Sequence, residues 1–405
     1  MTSRERIIAT LNHEQPDMLA IDFGGLRSSG ISAIAYNKLK DYLNIEGGVT
    51  KLYDIYQQLA EPEPEVLGRL GGDVVQLHRF APSFGIPNDR WKPGKLPDGS
   101  DCIEPYEFDP VPNEKGDLEV IRDGHAIIKM PKGGLYYDVV YYPYADAETT
   151  GDIDRIPIKG IDDAELAYLE KEAKRLYEET DKAILGPFGG GTLECGQGEW
   201  GYEKFLLSMA EKPDLVLYWL DKLIEVHFDD LKKYLGAVGK YINVIQFCDD
   251  LGTQNAPQIS PNMYREMIKP YQKKLYRYVR ENYPHVKVFI HCCGAIFDLL
   301  PDLIDAGVEI INPVQISAAG MDPQRLKTTF GSELSFWGGG ANMQTFVNTN
   351  SVEAIRGHVR ELIDIFAPGG GFVFNQVHNI QANVPPEKIM AIYDTALEYR
   401  KEKRQ

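Results

Sequence analysis

The chain has 405 residues, 43% hydrophobic and 25% charged, a composition that suits one large α/β domain with a substantial core and excludes global disorder. Its formal net charge of -17 argues against nucleic acid as the main partner, because phosphate binding needs clustered Lys and Arg. The 5 cysteines, an odd number with Cys292 and Cys293 adjacent, do not look like a disulfide framework and fit reduced thiols in a cytoplasm.

Met1–Arg6 lacks the apolar core of a secretory signal, and no apolar run reaches the roughly 18 residues of a membrane span. Ser3–Leu11 reads as a helix capped by Thr2 or Ser3. Short apolar runs then recur, each ending in a Gly-rich or polar turn. Strands are expected at Leu19–Phe23, Asp73–Leu77, Ala183–Phe188, Ile242–Phe247, Lys287–Ile290, Glu309–Ile311, Leu334–Trp337 and Phe372–Asn375. They lack clean alternation, as parallel strands buried on both faces do. Helical patterns lie between most of them, at Ala164–Thr180, Lys204–Leu235 with a break at Pro213, Pro261–Asn282 capped by Ser260, Ile296–Ala306 and Ser351–Phe366. A last helix runs from near Pro385 to the C-terminus, and the basic stretch Arg400–Arg404 reads as its solvated end. Strand and helix alternating about eight times predicts a (β/α)₈ TIM barrel, a single domain over residues 1–405.

Residues 86–150 break the rhythm with little helix and much Pro, Gly, Asp and Tyr. Short β-like runs at Leu118–Ile121, Ala126–Met130 and Leu135–Tyr142 predict a β-hairpin-rich insertion after the second strand, over one face of the barrel. Its aromatic residues suit a lid, a homodimer contact or a partner-docking surface equally.

Barrel active sites lie at the C-terminal ends of the strands. The groups expected there are Arg27, Glu194, Asp249-Asp250, His291-Cys292-Cys293, Gln315, Asn342 and His378. In His291-Cys292-Cys293 the outer two residues can point to one side where a strand runs out into a loop. Imidazole with thiolate is the usual zinc combination, and His378 ends another strand. Cys292 is expected to face the core, and Cys102, Cys195 and Cys248 have no evident partner. Asp249 or Asp250 can bind metal, orient a histidine or act as general acid or base, and capping or a salt bridge is the competing role. His78 and His125 read as structural.

A set of motifs in a characteristic order resembles the uroporphyrinogen decarboxylase superfamily over nearly the whole chain apart from residues 86–150. They are Arg4-Glu5-Arg6-Ile7 with Asn12–Asp17, Cys248–Gln254, Ile259-Ser260-Pro261, His291–Gly294, Asn312–Gln315, and Gly370-Gly371-Phe372 leading to His378–Gln381. The resemblance implies two branches. Porphyrin decarboxylases hold a substrate of many carboxylates with clustered arginines and an aspartate, without metal. Methyltransferases hold zinc with a His-x-Cys pair and a later cysteine, and pass methyl groups between a corrinoid protein and a thiol or a methylated substrate. Only Arg27 stands near the expected arginine-rich loop, while Asp54 lies in a segment like the decarboxylase aspartate region. His291 and Cys293 fit the His-x-Cys pair. No cysteine follows Cys293, and the late position carries His378, where decarboxylases also have a histidine.

The resemblance therefore implies the corrinoid-dependent zinc methyltransferase branch, with an aryl methyl ether as the substrate class. The acceptor would be cobalt in a corrinoid on a separate partner protein. Zinc ligands would be His291, Cys293 and His378, with Glu194, Asp249 and Asp250 as further candidates. Asp249, Asp250, Arg27 and Asp54 are the catalytic candidates. Glu194, Gln315 and Asn342 are the substrate-binding candidates. Methylcorrinoid-to-thiol transfer and metal-free decarboxylation, anchored by Arg27 with Asp54 and His378, are the alternatives.

Overall fold

The apolar runs close into a ring. In the computed structural model, which describes residues 1–402, they form eight parallel strands: β1 (Ala20–Ile21), β2 (Val74–Gln76), β3 (Ala183–Gly189), β4 (Val244–Cys248), β5 (Lys287–His291), β6 (Ile310–Asn312), β7 (Ser335–Trp337) and β8 (Phe372–Phe374). Each of β2 to β8 pairs with its neighbour in sequence, and β8 returns to β1, giving a nearly closed TIM-barrel-like fold. The expected strand positions agree with these to within two residues at either end.

Asp73 draws the remaining seam together. Its backbone N–H donates to Ile21 O at 2.8 Å, and its carboxylate accepts from the Ile21 N–H at 3.0 Å. The same carboxylate pairs with Arg6 at 2.7 Å and with Arg400. Arg400 corrects the expectation of a solvated basic end: it is buried and also donates to Leu19 O at 2.6 Å and Gly71 O at 2.9 Å. Lys401 and Glu402, which follow it, are exposed as expected, and residues 403–404 lie outside the described residues.

Inside the ring, Ala20, Val74, Leu185, Val244, Phe289, Ile310, Trp337 and Val373 fill the barrel, and Ile7 and Leu11 of the first helix plug its base. That helix carries a capping box between Thr2 and Glu5. A larger apolar layer lies between strands and outer helices, so both strand faces are buried. Among the described residues no helix is long and apolar enough to cross a membrane.

Three features depart from expectation. The helix over Pro261–Asn282 is interrupted by a π turn at Tyr264–Ile268, because Pro270 lacks the N–H that would continue the ladder. A small antiparallel sheet (Ile31–Ser32, Leu52–Asp54, Leu59–Ala60) stands between β1 and β2. The insertion between β2 and β3 is β-rich, with a hairpin (Trp91–Lys95, Asp101–Pro105) and a four-stranded sheet. Its expected strand at Leu135–Tyr142 shrinks to Asp138–Val139, because the Tyr137 N–H donates to Tyr56 O and not to a neighbouring strand.

Candidate functional site

Parallel register sets the row from which the site is built. Cys248, His291 and Asn312 are aligned partners at the ends of β4, β5 and β6. Asn312 Nδ2 donates to Trp337 O at 2.7 Å, which leaves Asn312 Oδ1 as the acceptor. That oxygen sits 2.7 Å from His291 Nδ1 and accepts the Ser28 hydroxyl at 2.5 Å. His291 must then present a proton on Nδ1 to this acceptor, which turns its Nε2 toward the site.

Two residues beyond β5, Cys293 Sγ lies 3.5 Å from that Nε2. The His378 ring centres 5.6 Å from the His291 ring. One ligand atom from each of His291, Cys293 and His378 falls within 4.8 Å of the others. Asp250 Oδ1 accepts the Cys293 N–H at 2.7 Å and stands 3.9 Å from His291 Nε2. The loops after β4 and β5 meet backbone to backbone, since a Cβ on Gly294, at φ +91°, would collide with Gly252. His378 itself adopts φ +62°, rare outside glycine. Val377 N–H to Ala341 O and Ile380 N–H to Gly30 O, both 2.9 Å, bracket it.

The donor set suits a soft or borderline dication: a sulfur and two imidazoles. Burial, with the neighbouring His291, pushes His378 down to about 4, so it stays neutral and able to bind metal. Burial, then the nearby Asp250, pushes the Cys293 thiol up.

A cavity of about 260 Å³ opens beside these groups, lined by Arg27, Tyr53, Tyr56, Gln57, Phe188, Glu194, Cys248 and Asp250. Burial, then the nearby Asp250, pushes the Glu194 carboxyl well up, which favours its protonated form. Both guanidiniums in the wall are already paired, Arg27 with Asp54 and Arg79 with Glu165.

Of the residues singled out in the sequence, His291, Cys293, His378, Asp250, Arg27 and Glu194 gather here. Asp54 is fully buried behind Arg27 and does not itself line the cavity. Asp249 corrects the catalytic expectation. It accepts from Thr192, Leu193 and Glu194 N–H groups, the Thr192 hydroxyl and Gln272 Nε2, so its oxygens cap the helix Leu193–Trp200. Gln315 and Asn342 likewise lie outside the cavity lining. Gln315 Oε1 accepts the Gly294 N–H at 2.8 Å, and Asn342 caps the turn Met343–Val347. Cys292 faces the core as expected and accepts the Leu251 N–H at 3.3 Å.

Sequence reasoning missed Cys248, Arg79 and the aromatic wall. Cys248 was findable from its place at the end of β4, one residue before Asp249. Arg79 carried no signal, because its approach depends on how the loop after β2 folds, and Phe188, within β3, reads in the sequence as one more core residue.

Residues 139–399 match the uroporphyrinogen decarboxylase (URO-D) family. Curated relatives include uroporphyrinogen decarboxylases of Helicobacter hepaticus (26% identical over 230 residues, 55% of this chain and 62% of that protein) and Synechocystis sp. (26% over 194 residues, 48% and 51%). The chain thus spans less than two thirds of either protein's length. The enzyme of Prochlorococcus marinus is 24% identical over 303 residues, 68% of this chain and 78% of that protein. Among solved structures, a methyltransferase from Methanosarcina mazei shares the fold at a TM-score of 0.61 and 17% identity, over 98% of this chain and 99% of that one.

Proposed function

The chain belongs to the uroporphyrinogen decarboxylase family, and from that premise we propose that it is a zinc-dependent methyltransferase. Its reaction would move a methyl group from a small methylated substrate, an aryl methyl ether as the class, to the cobalt of a corrinoid held by a partner protein. One observation carries this reading: His291, Cys293 and His378 converge, with the His291 tautomer set by Asn312 so that Nε2 faces Cys293. The similarity in fold to a methyltransferase supports it.

A zinc ion held by these three residues would supply Lewis acidity toward a substrate heteroatom. The chain supplies the rest. Asn312 and Ser28 orient His291. Asp250 holds the Cys293 backbone in place. Tyr53, Tyr56 and Phe188 exclude water from one side of the cavity. Glu194, its proton retained by burial, can donate a hydrogen bond to a developing anion.

Decarboxylation of a substrate bearing many carboxylates is the second reading, favoured by the curated relatives and by the Arg27–Asp54 pair. The cavity counts against it, because each arginine in its wall is already neutralised and Asp250 adds negative charge. Bound metal decides between the readings. Protein purified without chelator should hold near-stoichiometric zinc that is lost in His291→Ala and Cys293→Ala. Absence of zinc in the wild type, even after reconstitution, would remove the ground for methyl transfer and direct attention to Arg27, Asp54 and His378.

A further inference from the structure

The loop after β8 carries His378, and its other side chains tie it to the insertion. Tyr136, 245 residues from its partner in sequence, donates its hydroxyl to Gln381 Oε1. Gln381 Nε2 donates to Asn379 Oδ1 at 2.7 Å, and Asn379 Nδ2 donates to Gln57 Oε1 at 2.7 Å. Gln57 lines the cavity, and its backbone N–H donates to Asp54 Oδ1 at 2.8 Å. Asn379 is buried and directly follows His378 in the chain. An unbroken line of hydrogen bonds therefore runs from the insertion, past His378, to the Asp54–Arg27 pair.

The line has a direction. A tyrosine hydroxyl bound to Gln381 Oε1 leaves Gln381 only its Nε2 to offer Asn379. Asn379 must accept with Oδ1 and is left only Nδ2 to offer Gln57. Each amide is thus held at both ends, and Tyr136 anchors the first to the insertion. Without that hydroxyl, Gln381 loses its tie to the insertion, and the later bonds loosen with it. His378 needs such support. Its left-handed backbone is one that a bulky L-residue adopts only when its surroundings over-determine it. The backbone bonds at Val377 and Ile380 fix the chain on either side, and the Asn379 side chain, held at both ends, fixes the residue next to His378.

We propose that Tyr136 is a positioning residue for His378, acting through Gln381 and Asn379, so that the insertion forms part of the scaffold of the metal site. This rests on the reading of His378 as a metal ligand.

Cobalt(II) added to the metal-free protein is the probe, because its visible absorption reports the ligand set without any turnover. Wild type should bind one equivalent and show intense visible bands. Tyr136→Phe should fold and melt as wild type does, show shifted or weakened bands, and bind cobalt about threefold to tenfold more weakly, less than the roughly 10–100-fold loss from a directly bonded partner. Gln381→Met, which keeps the length of the side chain but neither hydrogen bond, should change the spectrum in the same way. Tyr141→Phe is the control, since Tyr141 is exposed on the same insertion and stacks on His125 outside the line. Normal cobalt binding and an unchanged spectrum in both Tyr136→Phe and Gln381→Met would overturn the proposal while leaving the metal site intact. So would an equal change in Tyr141→Phe, which would mean that general loosening of the insertion is the cause. Failure of the wild type to bind cobalt would overturn the metal-site reading itself, and the proposal with it.

Discussion

The His291 tautomer rests on one side chain, which makes Asn312→Leu the most informative substitution. Leucine keeps the shape of asparagine in a position with no solvent exposure. It deletes the acceptor for His291 Nδ1 and Ser28 and the donor to Trp337 O. Without the acceptor at Nδ1, the imidazole can place its proton on Nε2, the atom that should face the metal. A second-sphere partner of a metal-bound histidine is worth about 10–100-fold in affinity, or about 1.4–2.8 kcal/mol. A separate cost falls on folding, because each buried polar group left unpaired costs about 1–3 kcal/mol. The two effects can be separated. Denaturant unfolding of metal-free protein gives the second, and zinc competition against a chromophoric chelator, restricted to conditions where the variant is folded, gives the first. Ser28→Ala, which removes one donor to the same oxygen but leaves the His291 bond in place, should change zinc affinity much less. If Asn312→Leu folds and its zinc affinity falls by far less than the roughly tenfold lower bound, the tautomer argument is wrong.

Asp249→Ala should lower stability by about 2–3 kcal/mol in denaturant unfolding, from the lost helix cap and unpaired donors, and should leave zinc stoichiometry intact. Loss of zinc from a folded variant would return Asp249 to the site. Gly294→Ala should fold poorly and hold little zinc, since its Cβ meets the Gly252 backbone; a wild-type melting temperature would refute that close approach. His227 gives a pH test away from the metal. Burial lowers its pKa from 6.5 to about 4. The folded state thus favours the neutral ring, and its contribution is full above pH 6.5 and is lost as pH falls toward 4. The difference amounts to about 3 kcal/mol at most. His227→Phe should flatten the unfolding free energy across that window relative to wild type, and parallel pH profiles would contradict the assignment.

The barrel was legible because each strand is a short apolar run between turn residues, and both faces of every strand are buried. Its closure was not legible. Arg400 looks like part of a basic tail, and only the fold shows that Asp73 at the β1–β2 seam draws it inside. The π turn was written in Pro270, a residue easily overlooked inside an otherwise helical pattern. At the site, His291, Cys293 and His378 could be named because zinc chemistry restricts residue type and strand ends restrict place. Asp249 and Asp250 illustrate the limit. Adjacent residues leaving a strand face opposite ways, so one was bound to miss the cavity. Which one depended on the position of the helix Leu193–Trp200, whose N–H groups take Asp249.

Charge balance then connects the site to the chemistry. Arg27 and Arg79 are each matched by a carboxylate, Asp54 and Glu165, so they contribute no net positive charge to the cavity. Burial keeps Glu194 protonated and His378 neutral. Asn312 takes the Nδ1 side of His291 and turns Nε2 toward the metal position. What remains unbalanced is Asp250 and, once it binds as thiolate, Cys293. Two negative charges beside two imidazoles form a site complementary to a divalent cation and hostile to a substrate bearing many carboxylates. A family fold can host either chemistry, and the choice lies in its site. Here the paired arginines weigh against decarboxylation of a polyanion as strongly as the His-x-Cys pair weighs for a metal. Freeing one of them offers a direct reversal: Asp54→Asn would leave Arg27 unpaired and should strengthen binding of a simple carboxylate such as benzoate, measured by calorimetry. No gain over wild type would show that the Arg27 charge is not held in check by Asp54, and the charge argument would fail with it.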